Sequence, residues 1–119
     1  FNTMSEKNAG PLNSTADIVI NANAVLSPIN IRQGKLEIGN SGLDYRPSLG
    51  KGYIQIPWRN VKYITVERAF NFWYRGFIVY TTEGQSFEFI TNKTKKALMA
   101  LAGHLKKDQL RLRKGILER

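Results

Sequence analysis

The stretch that decides the fold runs Tyr53-Ile54-Gln55-Ile56-Pro57-Trp58-Arg59-Asn60-Val61-Lys62-Tyr63-Ile64. Apolar and polar residues alternate up to Pro57, which has no backbone N–H and cannot continue a strand inside a sheet. A short turn follows through Asn60, and a second strand begins at Val61. The stretch therefore predicts two strands that meet at a corner. We expect Trp58 at this corner to pack in the core or at its rim rather than against a partner.

Short strands are predicted on both sides of this corner. Alternating apolar and polar residues, separated by turn residues such as Asn40-Ser41-Gly42 and Glu83-Gly84, mark their positions. The residues from Val25 to Pro28 are expected to extend or bend the first strand. The seven predicted strands cover 15–21, 34–39, 43–46, 53–57, 61–68, 75–82 and 85–91. This pattern favours a mainly β fold, an antiparallel barrel or sandwich in a single domain.

The period changes after Asn92, which is a good N-cap candidate. Leu98, Leu101 and Leu105 recur at helical spacing and predict one C-terminal amphipathic helix that closes the fold. The same spacing continues further, so the helix either ends near residue 107 or runs on to Lys114.

The predicted domain covers residues 15–107, between a disordered arm over 1–14 and a basic tail over 108–119. The first three residues, ahead of Met4, are expected to be a remnant of an expression vector. The polar start lacks the apolar core of a signal peptide, and no apolar run approaches the length that spans a bilayer.

The charge of the chain is concentrated near its C-terminal end. Of the formal net charge of +9, residues 93–119 carry +7. Such asymmetry indicates an acidic partner, which could be nucleic acid, anionic lipid or an acidic protein face. The alternative is a solvated helix face with a frayed basic tail. The candidate residues for binding an anionic surface are Lys95, Lys96, Lys106, Lys107, Arg111, Arg113 and Lys114.

The sequence offers few residues for catalysis. It has no cysteine and one histidine, His104, which is expected at the surface or helix end rather than as a phosphoryl acceptor or general base. Its carboxylates are scattered, and it has no glycine-rich phosphate-binding loop. We therefore predict no enzyme activity, no cofactor and no metal site. The absence of cysteine fits a reducing compartment.

An unusual aromatic segment lies between the strands predicted over 61–68 and 75–82. Such a connection normally carries small polar residues, whereas this one carries four aromatic rings. Either the rings cap the open end of the barrel or they contact a partner, which would be a membrane interface or a protein surface. The candidate partner-binding residues are Phe70, Phe72, Trp73, Tyr74 and Arg75.

Several motifs of the chain resemble those of a known superfamily. Seven strands closed by one helix is the pattern of pleckstrin-homology-like (PH-like) barrels, and the runs 34–38, 43–45 and 53–61 resemble bacterial members. More narrowly, the chain resembles the ManO-type family of small uncharacterised proteins, encoded beside mannose-family sugar phosphotransferase permeases. The residues that carry this resemblance are the Tyr53-to-Val61 motif, Trp73-x-Arg75-x-Phe77, and Phe87-x-Phe89 leading to Lys95-Lys96-x-Leu98. It covers roughly residues 15–105.

The resemblance implies a cytoplasmic accessory or regulatory protein that binds a mannose-type permease at the inner face of the membrane. It implies no catalytic residues. Two other functions use the same basic residues: a nucleic-acid-binding regulator of sugar-uptake genes, and a peripheral module that binds anionic lipid. The nucleic-acid alternative lacks a recognition-helix signature and the aromatic pattern of RNA-binding domains.

Overall fold

The computed structural model describes residues 4–5, 10–50, 52–70 and 73–113, with only the backbone described at 4–5, 67–70, 73–74 and 112–113. These residues form nine strands, one α-helix and two short 3₁₀ helices. The strands are β1 (Met4–Ser5), β2 (Ala16–Ser27), β3 (Asn30–Gly39), β4 (Gly42–Pro47), β5 (Tyr53–Pro57), β6 (Val61–Phe70), β7 (Trp73–Thr81), β8 (Ser86–Ile90) and β9 (Leu110–Arg113). The helix α1 covers Thr94–Ala102, and the 3₁₀ helices cover Trp58–Asn60 and Lys107–Gln109. The prediction of a mainly β fold with one helix is confirmed.

All strands belong to one sheet in the order β1-β5-β4-β3-β2-β8-β7-β6-β9. Every neighbouring pair is antiparallel except β6 and β9, which are parallel, so the sheet is mixed. The sheet is not closed into a barrel, contrary to the first of the two predicted architectures. Strands β5 and β6, before and after the corner, do not pair with each other. Instead, the two-residue β1 pairs with β5, and β9 pairs with β6.

The corner predicted from the sequence is confirmed. Strand β5 ends at Pro57, a 3₁₀ turn follows, and β6 begins at Val61. Trp58 is half-buried and packs against the core, and its indole Nε1 donates a hydrogen bond to the Gly39 carbonyl at 3.0 Å. The Trp58 side chain therefore joins the corner to the end of β3, as expected for a tryptophan that packs at the rim of the core.

The core consists of buried side chains from strands β2 to β8, together with Ala97 and Leu101 of α1. Its largest fully buried side chains include Tyr45, Phe77 and Phe89, each at most 1% exposed. The Phe89 ring lies 5.5 Å from that of Tyr45 and 5.7 Å from that of Phe77, both in tilted arrangements. Tilted aromatic pairs at this separation stabilise a core beyond the area that they bury. Three strands, β4, β7 and β8, meet at this cluster.

The helix begins and ends differently from the prediction. Its N-cap is Lys93 rather than Asn92, and the Thr91 hydroxyl accepts a hydrogen bond from the Lys93 N–H at 3.1 Å. The helix ends at Ala102, and the chain then passes through a 3₁₀ turn into β9 rather than continuing as helix. The reason is tertiary: pairing with β6 from Ile64 onward supplies backbone hydrogen bonds that compete with helical ones. No helix among the described residues is long and apolar enough to cross a membrane.

Residues 10–14, which the sequence assigns to a loose arm, lie against β3, β4 and β5. The Asn13 side chain is 6% exposed, and its Oδ1 accepts hydrogen bonds from the N–H groups of Ser41 and Gly42 at 2.7 and 2.8 Å. The buried Asp44 carboxylate accepts a hydrogen bond from the Leu12 N–H at 3.2 Å. This segment is therefore held by polar contacts that extend the described fold before residue 15.

A pH-dependent stability is expected from Tyr45. Burial raises the pKa of its phenol above the ordinary value of 10.0, and its hydroxyl donates to the Arg32 carbonyl at 2.8 Å. Because the folded-state pKa exceeds the unfolded one, this group stabilises the fold fully below about pH 10. That contribution is lost as the pH rises through the folded-state pKa. Denaturant unfolding between pH 9 and 11 should therefore show a steeper loss of stability for the wild type than for Tyr45→Phe.

Tyr45→Phe itself should cost about 0.5–1.5 kcal/mol at neutral pH, because it removes the hydrogen bond from the hydroxyl to the Arg32 carbonyl. Equal slopes for the two proteins above pH 10 would show that Tyr45 does not titrate with unfolding. The comparison cancels the other tyrosines and the lysines, which both proteins share.

Candidate functional site

The predicted aromatic loop is the tip of the β6–β7 hairpin. The strands extend to the tip, and Phe70 pairs with Trp73 in the ladder. Arg75 is exposed on β7. The placement of Phe72 and the side chains of Phe70, Trp73 and Tyr74 lie outside the described part of the structure. Whether the rings are packed or exposed therefore stays a prediction.

A stacked ladder of side chains lies on the outer face of β6, β7 and β9. The Arg111 guanidinium lies 4.1 Å above the ring centroid of Tyr63, and the Tyr63 and Tyr80 rings stack at 4.6 Å. Ile64 and Val79, next to them in their strands, are fully buried. Since side chains alternate across a strand, the two tyrosines point away from the core. We call Arg111, Tyr63 and Tyr80 the outer ladder.

The outer ladder was not found by sequence reasoning. Val61 and Tyr63 are separated by a register shift in the β6–β7 pairing, so simple alternation from Val61 does not say whether Tyr63 or Ile64 faces the core. The neighbouring strand β9 was not predicted. The parallel β6–β9 pairing, which places Arg111 opposite Thr65, is what brings the guanidinium to the tyrosine.

The basic candidate residues fall into two groups. Lys95 and Lys96 are exposed on α1. Lys106 and Lys107 are exposed in the segment that leads into β9, and Arg111 is exposed in β9 itself. The helix contacts β2, β3 and β7, whereas β9 lies along β6 at the end of the sheet. The two groups thus belong to different parts of the fold. The Arg113 side chain and the whole of Lys114 lie outside the description.

His104 lies in the turn just after the helix, where the sequence places it. Its Nε2 is 2.5 Å from an Asp17 carboxylate oxygen, and its ring stacks on Trp58 at 4.7 Å with an interplanar angle of 15°. The imidazole side chain is 23% exposed. These contacts join the start of β2, the corner and the end of α1. Neither contact was predicted, because Asp17 lies 87 residues away in the sequence.

Among the described side chains, no three His, Cys, Asp or Glu residues come together as metal ligands would. The arrangement among the described side chains is the outer ladder, the exposed Arg75 on one of the same strands, and other exposed bases. Tyrosine, tryptophan and arginine are the residue types enriched at the energetic centres of protein interfaces.

Comparison with known proteins gives a family and a fold. The profile of a family described as "Domain of unknown function (DUF956)" matches residues 9–119. A crystal structure of the C-terminal domain of an unknown protein from Leishmania infantum superposes with a TM-score of 0.67. The match has 19% sequence identity over 76% of this chain and 83% of that one. At this identity the likeness concerns the fold alone. No curated protein matches the chain.

Proposed function

Because the chain belongs to the DUF956 family, whose description assigns no activity, we propose a function from its own residues. The protein is a non-catalytic accessory protein that binds a mannose-type phosphotransferase permease at the cytoplasmic face of the membrane. The identity of the partner rests on the resemblance of the Tyr53-to-Val61 motif and of the runs from Trp73 and Phe87 to the ManO-type family. The choice of binding surface is supported by side-chain contacts on strands β6, β7 and β9.

The observation that carries the binding role is the concentration of interface residue types on strands β6, β7 and β9. The outer ladder presents a guanidinium and two stacked phenol rings, and the exposed Arg75 lies toward the hairpin tip of the same strands. Rigid, already stacked side chains lose little conformational entropy when a partner covers them. This face therefore suits a protein contact without a preceding rearrangement.

The charge near this face favours an acidic partner surface. Lys106, Lys107 and Arg111 are exposed, and Asp108 is the one acid among residues 106–111. Attraction between exposed charges accelerates encounter and is screened beyond about 8 Å at physiological salt. Binding is thus expected to weaken as the salt concentration rises, while contacts of the aromatic tip persist.

We also propose that the fold is PH-like. Apart from the two-residue β1, seven strands, β2 to β8, precede α1 in the chain, which is the element order of the resemblance. The open sheet is an elaboration of that pattern, since β9 returns along β6 where a peptide or another strand could otherwise pair.

Replacing both Trp73 and Arg75 with alanine should weaken permease binding by about tenfold or more. Truncating interface tryptophan and arginine residues commonly costs more than 1.4 kcal/mol of binding free energy, which equals a factor of ten. The measurement is recovery of permease subunits from detergent-solubilised membranes of the native host, with the purified chain as bait at physiological salt. The melting temperature should stay nearly unchanged if the tip faces a partner.

The matched control is Ile29→Ala with Arg59→Ala, which removes one large apolar side chain and one arginine from exposed positions elsewhere. This control should retain permease. Recovery of nucleic acid alone, or of no membrane protein, would contradict the proposed partner. A large fall in melting temperature for the tip variant would show that the tip is structural.

A further inference from the structure

The helix α1 lies alongside the first half of strand β2. At one end the Thr91 hydroxyl, just before the helix, donates to the Asn21 carbonyl at 2.8 Å. At the other end His104 contacts Asp17. Strand β2 pairs with β8 only from Asn23 to Val25, whereas it pairs with β3 along most of its length. Residues 17–21 of β2 therefore pair with β3 on one side. On the other side they have no strand partner and face the helix.

The backbone of this stretch directs hydrogen-bonding groups toward the helix. The Asn21 carbonyl points away from β3, because it accepts its bond from Thr91. In an antiparallel pair, backbone groups of alternate residues point to the same side of the strand, so those of Val19 also point away from β3. No hydrogen bond to the Val19 backbone on that side is found within the described residues. The Val19 residue is 52% exposed, so a partner can reach it.

A groove of about 350 Å³ occupies the space between β2 and the start of α1. One wall is the strand from Ile18 to Asn21, and the remainder is Asn92 and three lysines. The lysines are Lys35, Lys93 and Lys96, all exposed, and no aspartate or glutamate lines the groove. Within the described part of the chain none of the three lysines is paired with a carboxylate.

We propose that this groove receives an extended acidic peptide segment of a partner protein, which adds as a strand to β2. Three features support this occupant together. The free N–H and C=O of Val19 are what an added strand pairs with, and the apolar residues beside them accept alternate side chains. The unpaired lysines complement acidic side chains at the Asn21 end. The two acids near this stretch are engaged elsewhere: Glu37, opposite Val19 in β3, accepts a hydrogen bond from Asn13 Nδ2, and Asp17 contacts His104.

This inference goes beyond the permease proposal, because the groove lies on β2 and α1 rather than on the β6–β7–β9 face. It needs neither the permease nor the outer ladder. The two proposals can therefore fail separately: a peptide measurement on the purified chain says nothing about recovery of permease from membranes.

The test titrates the full chain with a short fluorescein-labelled peptide that alternates valine and glutamate, monitored by fluorescence anisotropy. A peptide with lysine in place of glutamate should bind about tenfold more weakly or worse, because it repels the groove lysines. Lys93→Glu with Lys96→Glu should weaken binding of the acidic peptide by about the same factor. Arg59→Glu with Lys62→Glu makes the same charge change at exposed positions outside the groove and should change binding by less than about twofold.

The backbone contact has its own readout. Amide hydrogen exchange of the wild type should show new protection at Val19 when the acidic peptide is bound, because that N–H becomes part of a ladder. Val19→Pro removes this donor without removing a bond to β3 and should weaken binding. Exchange on the wild type decides the question even if the proline variant does not fold.

Three outcomes would overturn the proposal. Equal binding of the acidic and basic peptides would remove the role of the lysines. Binding without protection at Val19 would remove strand addition. Displacement of the peptide by inorganic phosphate at millimolar concentration, again without protection at Val19, would show a site for anions rather than for a peptide.

Discussion

Phe89→Ala is expected to lower the free energy of unfolding by about 3–5 kcal/mol, which is the usual cost of truncating a buried phenylalanine. The side chain is fully buried on β8 and contacts the rings of Tyr45 and Phe77. Its removal leaves a cavity beside the Tyr45 and Phe77 rings. The pairing of β4 with β3 and β5, and of β7 with β6 and β8, restrains these strands from closing it. Urea denaturation followed by tryptophan fluorescence measures the change.

Phe89→Leu is the matched control, because it keeps an apolar side chain at the site and should cost less than Phe89→Ala. If the two variants were equally destabilised, loss of the aromatic contacts rather than cavity formation would dominate. If Phe89→Ala cost less than about 1 kcal/mol, the side chain would not be part of the core in solution.

Asn13→Ala is expected to destabilise the fold by about 2–4 kcal/mol, since it leaves several buried polar groups without partners. Its Oδ1 accepts from two backbone N–H groups, and its Nδ2 donates to the Gly42 carbonyl and to Glu37 at 3.1 Å each. Gly42 is paired with Pro57 of β5, which limits its movement toward the space that Asn13 would leave. Thermal and denaturant unfolding of the purified chain measure the effect.

Ser14→Ala is the matched control in the same segment. Its hydroxyl accepts one hydrogen bond from Asn40 at 2.9 Å in an exposed position, so its loss should cost less than about 1 kcal/mol. Equal small effects for both variants would indicate that residues 10–14 detach from the sheet before the rest unfolds. Destabilisation by Asn13→Ala alone would place this segment within the cooperative fold.

The two proposed binding surfaces lie in different parts of the sheet. Strand β2 lies in the middle of the sheet but loses its β8 partner before residue 23, so its free edge is internal and bounded by the helix. The outer ladder lies near the β9 end, where side chains rather than backbone groups are presented. The strand-adding peptide and the permease surface that we propose as ligands would therefore occupy different places on the chain.

The sequence alone determined the elements whose signals are local. Pro57 ended a strand, Val61 began the next, and helical spacing through Leu101 marked α1, because proline geometry and side-chain periodicity act within a few residues. A mainly β chain with one helix and a tryptophan at the corner could thus be predicted. The aromatic tip and the basic end could be chosen as candidates, but not their surroundings.

Only the tertiary structure decided which distant segments meet. Helical spacing continued past residue 110, yet pairing with β6 made Leu110–Arg113 a parallel strand and brought Arg111 onto Tyr63. The polar residues near the start of the chain predict a loose arm, whereas in the fold Asn13 accepts a hydrogen bond from the backbone of β4. The free edge at Val19 depends on where β8 stops pairing. Each of these contacts joins residues far apart in the chain, and a local sequence pattern cannot identify the distant partner of a hydrogen bond or a ring stack.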